Sequence, residues 1–112
     1  MNWNLLEDVA DFEKLSQQGS LSTYAIFKHS TRCPISSAAK NIVEATWEQE
    51  NPTTAIYYLD LLAHRDISNL IAERLGVIHQ SPQLIVVKNG EVVYQASHVA
   101  INPSKVAEIL ST

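Results

Sequence analysis

The stretch Phe27-Lys28-His29-Ser30-Thr31-Arg32-Cys33-Pro34-Ile35-Ser36 joins the end of an apolar strand to the start of an apolar-periodic helix, and it carries the only cysteine of the chain. The first turn of a helix leaves backbone N–H groups without intrahelical acceptors and carries about half a unit of positive charge. A sulfur at that position is stabilised as the thiolate, which is the nucleophile of disulfide exchange. Pro34 suits the first helical position, where no N–H group is needed. The stretch therefore predicts a reactive thiol at Cys33.

Three basic residues lie close to the cysteine in sequence, and we expect Lys28, His29 and Arg32 to add positive charge near the thiol. Arg32 is interpreted either as a group that steers an anionic partner to the sulfur or as a solvated loop charge. His29 either tunes or protonates a leaving thiol near neutral pH, or ends the strand with its side chain bonded inside the fold. The alternative for Cys33 itself is a small buried hydrophobe, which free cysteine often is.

The composition describes one compact, soluble domain spanning residues 1–112. The chain has a net charge of −4 and 46% hydrophobic residues, which suits a single core. The acidic balance argues against a nucleic-acid surface, because phosphates require a basic face. No signal peptide or membrane-spanning run is evident, and a single cysteine suits a reducing compartment. We therefore expect a cytoplasmic monomer that binds neither nucleic acid nor membrane.

The histidines give no sign of a metal site. Their positions show no metal-ligand spacing, and the chain has no second cysteine to complete a zinc set; the histidines are His29, His64, His79 and His98. We therefore predict that the protein binds no metal.

The hydrophobic pattern on both sides of the junction alternates between strands and helices. The apolar, β-prone run 23–27 predicts a buried strand, and the apolar run 54–62 predicts a second strand. Between them, the 3.6-residue spacing of apolar residues from Pro34 onward predicts a helix that ends at Pro52. A strand, a helix and a strand in this order predict a parallel pair joined by a right-handed crossover.

The remaining elements complete an α/β pattern. We expect a first helix from Asp8 to Gln18 that ends before Gly19, a helix capped by Asp66 and closed by Gly76, a hairpin that turns at Asn89-Gly90, and a last helix that starts at Asn102-Pro103. The predicted fold is a four-stranded mixed sheet with helices on both faces, which is the arrangement of the thioredoxin fold.

Two motifs strengthen this interpretation. Gly76-Val77, Ser81-Pro82 and Lys88-Asn89-Gly90-Glu91 resemble the second half of thioredoxins, in which the proline is cis and faces the active cysteine. Cys33-Pro34-Ile35-Ser36 resembles the thioredoxin Cys-x-x-Cys site with serine in place of the second cysteine, as in monothiol glutaredoxins. The string 29–36, together with Ser81-Pro82-Gln83 and Ala96-Ser97-His98, resembles the monothiol bacilliredoxin family.

The resemblance implies an enzyme that removes bacillithiol from mixed disulfides on oxidised proteins. Cys33 would attack the disulfide, take the bacillithiol and release the substrate thiol, and a second, external thiol would then reset Cys33. Bacillithiol is thus a co-substrate, and no bound cofactor is expected. The partners would be S-bacillithiolated proteins and low-molecular-weight thiols.

The resemblance also implies roles for individual residues. Catalysis is assigned to Cys33 and Ser36, because a hydroxyl one turn on could hydrogen-bond the sulfur; the alternative for Ser36 is an ordinary helix-start serine. The substrate is expected to contact His29, Arg32, Pro34, Ser81 and Pro82. Of these, Ser81 would pair its backbone with a bound chain by β-strand addition, and Arg32 would meet the carboxylates of bacillithiol.

Two hypotheses of other classes remain open. The protein could be a thioredoxin-fold binding or redox-sensing module in which Cys33 is a reversible contact, or Cys33 could join two copies in a regulatory disulfide dimer. The binding module and the enzyme differ in turnover, because a module captures only one equivalent of partner.

Overall fold

The computed structural model describes residues 3–17 and 23–111. The strands are β1 (Asn4–Leu5), β2 (Thr23–His29), β3 (Ala55–Asp60), β4 (Gln83–Lys88) and β5 (Glu91–Ser97). The helices are α1 (Val9–Ser16), α2 (Pro34–Glu50), α3 (Arg65–Leu75) and α4 (Pro103–Leu110), with a short 3-10 helix at His98–Ala100. None of the helices in this part of the chain combines the length and the apolar character needed to span a lipid bilayer.

The strands form one sheet in the order β1-β3-β2-β4-β5. β2 is parallel to β3 and antiparallel to β4, and β5 returns antiparallel to β4. The predicted parallel pair joined by a helix and the predicted hairpin are thus confirmed. Asn89 and Gly90 both have positive φ, 55° and 81°, as a two-residue hairpin turn requires.

The sheet has one strand more than the sequence predicts. β1 is only two residues long and pairs in parallel with β3 at Tyr57 and Tyr58. Both of its residues are exposed, so β1 shows no alternation of buried and exposed positions that the sequence could reveal.

Each face of the sheet carries its own hydrophobic cluster, because successive strand residues point to opposite sides. Tyr24 and Ile26 of β2 pack on the side of α1 and α3, whereas Ala25 and Phe27 pack on the side of α2 and α4. The predicted placement of helices on both faces is confirmed.

The helix ends place the loops at the edge of the sheet. α2 starts at Pro34 and ends before Pro52, and Gly76 closes α3 with a φ of 66°, as predicted. α3 begins earlier than predicted, with His64 and not Asp66 at its cap. The reason is the turn after β3, where the carboxylate of Asp60 accepts from the N–H groups of Leu62 and Ala63. The predicted end of α1 before Gly19 lies outside the described residues.

Candidate active site

Cys33 occupies the N-cap of α2, where the sequence places it. Its N–H donates to the carbonyl of Ser30 (3.2 Å), and its own carbonyl accepts from Ser37 (3.0 Å), which is the first turn of the helix. Pro34 has no N–H, and the amides of residues 35 and 36 precede that first bond. Cys33 is partly exposed, so the thiol lies beside the positive end of a 17-residue helix and can be reached by a partner.

Ser36 is fully buried, and its hydroxyl connects the first turn of α2 to the end of β2 and to the cysteine loop, residues 30–33. The N–H of Ser30 donates to Ser36 Oγ (3.0 Å), and Nδ1 of His29 lies 2.7 Å from the same oxygen. Among the described residues, the structure therefore pairs this hydroxyl with His29 and Ser30 and not with the sulfur of Cys33. A serine at this position fastens the loop 30–33 to the first turn of α2.

His29 ends β2 with its ring enclosed by aromatic neighbours. The ring stacks on Phe27 at a centroid distance of 6.0 Å and contacts Tyr58 at 5.7 Å, and only 4% of the residue is exposed. Burial, followed by the charge of Lys40, lowers the pKa of His29. The ring is therefore neutral at pH 7, and the direct substrate contact expected from the sequence does not fit an enclosed side chain.

Lys28 does not add charge beside the thiol, contrary to the expectation from the sequence. Because it precedes His29 in the strand, its side chain lies on the opposite face of the sheet, where it has no exposed surface. Its ammonium donates to the carbonyl of Ser68 in α3 (3.2 Å) and lies 3.3 Å from Nδ1 of His79. The loop cation that does remain at the surface is Arg32, which is exposed.

The Ser81–Pro82 segment lies at the same end of the strands as the cysteine loop. Lys28, near the end of β2, pairs with Gln83 at the start of β4, so the segment that precedes Gln83 lies beside the loop that follows β2. The Ser81–Pro82 peptide bond is cis, and the carbonyl of Pro82 accepts from the N–H of His98 (3.0 Å). The two motifs that the sequence singles out are thus brought to one place.

Ser81 and Pro82 differ in what they offer to a partner. Ser81 is partly exposed, but its hydroxyl oxygen is buried and forms no hydrogen bond within the described part of the chain. Pro82 is buried. An unpaired buried hydroxyl is uncommon in native proteins and calls for an explanation.

Apolar side chains are exposed next to the helix start. Ile35 is 51% exposed and Val99, in the 3-10 helix, is 94% exposed. They border a groove of about 180 Å³ between α2 and the 3-10 helix. Clustered exposed apolar residues are typical of surfaces that contact other proteins.

The chemistry that this arrangement can perform is that of a thiol. In residues 3–17 and 23–111, no three His, Cys, Asp or Glu side chains come together in a way that could hold a metal ion.

Sequence reasoning missed the contact between His29 and Ser36, seven residues apart, and the contact between Lys28 and His79, because both join different elements and leave no local pattern.

Comparison with known proteins identifies a sequence family and structural relatives of this chain. The sequence model of the monothiol bacilliredoxin BrxC family matches residues 4–106. A solved structure described as that of a candidate oxidoreductase with a thioredoxin fold is 32% identical, covers 96% of this chain and 92% of its own, and superposes with a TM-score of 0.81.

Thioredoxins share the fold at lower identity. The thioredoxin of Fasciola hepatica is 21% identical over 96% of both chains, with a TM-score of 0.69. The oxidised thioredoxin of Plasmodium falciparum is 13% identical over 99% of this chain and 100% of its own, with a TM-score of 0.73. The fold is that of thioredoxin, and family and fold together support a thiol oxidoreductase role. The chain belongs to the monothiol bacilliredoxin BrxC family.

Proposed function

We propose that this protein is a cytoplasmic monothiol oxidoreductase that removes bacillithiol from mixed disulfides on oxidised proteins. The observation that carries the proposal is a partly exposed Cys33 at the start of α2, with a buried serine hydroxyl where a second sulfur would be needed to resolve a disulfide internally. Since Cys33 is the only cysteine, each reaction at its sulfur must end in a mixed disulfide until an external thiol arrives.

The reaction is a pair of thiol–disulfide exchanges. The thiolate of Cys33 attacks the bacillithiol sulfur of the mixed disulfide, that disulfide breaks, and the substrate cysteine leaves as a thiolate that takes a proton from solvent. The new bond joins Cys33 to bacillithiol. A second low-molecular-weight thiol then attacks the bacillithiol sulfur, releases Cys33 and is itself oxidised to a disulfide with bacillithiol.

Ser36 and His29 act on this reaction by holding the loop and not by touching the reacting sulfurs. A neutral His29 with its proton on Nε2 accepts from the Ser36 hydroxyl at Nδ1, while Ser36 Oγ accepts from Ser30. Both partners of the hydroxyl are then satisfied, and the backbone that precedes Cys33 is fixed against α2. Ser36 and His29 are therefore positioning residues.

The substrate meets the exposed side of the site. Arg32 offers an exposed guanidinium to the carboxylates that bacillithiol carries. Ser81 is partly exposed and offers its backbone to an incoming chain, and the exposed Pro34 lines the approach to the sulfur. The exposed apolar groups of Ile35 and Val99 support a protein as the partner that carries the mixed disulfide.

The test is turnover with a bacillithiolated protein present in twentyfold excess over this protein, with bacillithiol as the external thiol. We expect several equivalents of free substrate thiol per equivalent of protein above the uncatalysed release by bacillithiol itself, and only that uncatalysed release with Cys33→Ser, because a hydroxyl is a far weaker nucleophile at neutral pH. Release that stops at one equivalent would instead identify a binding or redox-sensing module. Repeating the assay with glutathione and coenzyme A as the external thiol identifies the thiol that resets Cys33.

A further inference from the structure

Lys28 is a buried cation that the thiol chemistry does not use. None of its surface is exposed, and the ion pairs among the described residues, Lys40–Glu44, Arg74–Glu13 and Lys105–Glu108, do not include it. Its ammonium is bonded to a carbonyl of α3 and to a histidine ring, and within residues 3–17 and 23–111 no carboxylate pairs with it.

Such a lysine is not explained by stability. Burying an ammonium without a counterion disfavours the folded state, and the burial lowers the pKa of Lys28 to about 8. A methionine would fill nearly the same volume without that penalty. The ammonium therefore has a role other than stability, and its hydrogen-bond partners indicate what that role is.

It holds the loop between α3 and β4, residues 76–82, which ends in Ser81 and Pro82. Lys28 and Gln83 are directly opposite each other in β2 and β4, so their side chains lie on the same face of the sheet. Both are fully buried. From this position Lys28 contacts the ring of His79 (3.3 Å), and the Gln83 amide donates to the carbonyl of Ile78 (3.0 Å) and accepts from the N–H of Gln80 (3.3 Å).

Two buried side chains thus fix three successive loop residues, and the Ser81–Pro82 segment follows at once. We propose that Lys28 is a positioning residue whose buried ammonium sets the loop 76–82 in the conformation that presents the partly exposed Ser81 to a substrate protein. This inference rests on the proposed function, since it assigns the loop to the contact with the protein that carries the mixed disulfide.

The contact with His79 makes this positioning dependent on pH. Nδ1 of His79 accepts from Lys28 only while the ring is neutral, and Ser68 Oγ lies 3.3 Å from the same nitrogen. Burial lowers the pKa of His79, and the two charged groups that act on the ring, the cations Lys28 of β2 and Arg65 of α3, lower it further. A protonated His79 would repel Lys28, so acid conditions release the loop.

The test compares Lys28→Met with the intact protein in three measurements. We expect KM for a bacillithiolated protein to rise about tenfold, the factor that matches the loss of a hydrogen bond to a charged group, with little change in kcat. Alkylation of Cys33 by iodoacetamide should change less than twofold, because that small reagent needs no loop contact. The urea midpoint should not fall. Lys88→Met, which removes the same charge from the other end of β4, is the matched control and should leave KM unchanged.

A second variant isolates the histidine. His79→Gln can still accept from Lys28 but does not titrate, so its KM should match that of the intact protein at pH 7.5 and lose the rise that the intact protein shows on acidification. An unchanged KM in Lys28→Met would overturn the inference. A fall in alkylation rate and urea midpoint along with the change in KM would show that Lys28 serves only the fold.

Hydrogen exchange separates this inference from the proposed function. In Lys28→Met the amide of Gln80, whose N–H donates to the side chain of Gln83, should exchange about tenfold faster, the factor expected when one hydrogen bond to a charged group no longer opposes local opening, while the amides of α2 stay unchanged. If the intact protein showed no turnover, the proposed function would fail, and a loop that exchanged at the same rate with and without Lys28 would overturn the positioning role on its own.

Discussion

Nδ1 of His29 lies 2.7 Å from the hydroxyl oxygen of Ser36, and both side chains are buried. The serine that replaces the second cysteine of a dithiol site is therefore part of a hydrogen-bonded connection between the end of β2 and the first turn of α2. A monothiol site of this kind differs from a dithiol site in two ways, since it lacks a resolving sulfur and it gains a polar contact that holds the cysteine loop.

Restoring a cysteine at this position should test both differences. In Ser36→Cys, a thiol one turn from Cys33 can attack the Cys33–bacillithiol disulfide, so we expect loss of the adduct and an internal disulfide without an external thiol. Intact mass after exposure to bacillithiol disulfide measures this. An adduct that persists in Ser36→Cys would contradict the placement of the two side chains.

Removing the hydroxyl should weaken the fold at the loop. Ser36→Ala leaves the part-buried N–H of Ser30 without its acceptor and the buried ring of His29 without its hydroxyl partner, and we expect a loss of about 1–3 kcal/mol in the free energy of unfolding. Urea denaturation measures it. A variant as stable as the intact protein would show that the hydroxyl does not hold the loop.

The ionisation of His29 predicts how stability depends on pH. Since the pKa of His29 in the fold is lowered below 6.5, the unfolded chain binds the proton more readily, and this residue's share of the stability is lost as pH falls below about 6.5. His29→Phe keeps an aromatic ring beside Phe27 and Tyr58 but does not titrate. We expect the urea midpoint of the variant to fall less steeply between pH 6.5 and 5 than that of the intact protein, and equal slopes would contradict a neutral, buried His29.

The ionisation of Lys28 predicts how stability depends on pH in the alkaline range. Its folded pKa of about 8 lies below the usual 10.5, so in that interval the unfolded chain binds more protons and stability rises with pH. We expect a gain of about 1 kcal/mol per pH unit or less above pH 8 in the intact protein. Lys28→Met should lack this gain and be at least as stable at pH 7. Measurements up to about pH 9.5 avoid the ionisation of the tyrosines, which begins near pH 10.

The unpaired hydroxyl of Ser81 predicts a variant that separates binding from stability. An orphan hydroxyl does not stabilise the fold, so Ser81→Ala should unfold at the same urea concentration or a higher one. Because the hydroxyl is buried and the substrate chain is expected to pair with the backbone of Ser81, KM for the bacillithiolated protein should not change in the same variant. A loss of stability would show that the hydroxyl is paired within the fold, and a rise in KM would show that a bound substrate reaches it.

Local sequence signals predict much of the fold and the position of the thiol of Cys33 at a helix start. The Cys33-Pro34 pair predicts a helix start, and Asn89-Gly90 predicts a hairpin. Both structures depend on the backbone preferences of adjacent residues, which a local sequence shows. The family resemblance adds the Ser81–Pro82 segment, which composition alone could not connect with the cysteine.

The surroundings of the sulfur depend on contacts that no local signal carries. The strand 23–27 continues to His29 in the structure, and this extension by two residues sends Lys28 and His29 to opposite faces of the sheet. From sequence, both are basic residues near a cysteine. In the fold, His29 contacts the residue that holds the cysteine loop, and Lys28 contacts the loop 76–82.

The most direct test follows a single transfer. The protein is mixed with one equivalent of a bacillithiolated protein in the absence of any other thiol, and the intact masses of both are measured. The account predicts that bacillithiol moves to Cys33 and that the substrate recovers a free thiol, with no such transfer in Cys33→Ser. A disulfide between Cys33 and the substrate protein, with free bacillithiol in solution, would contradict it.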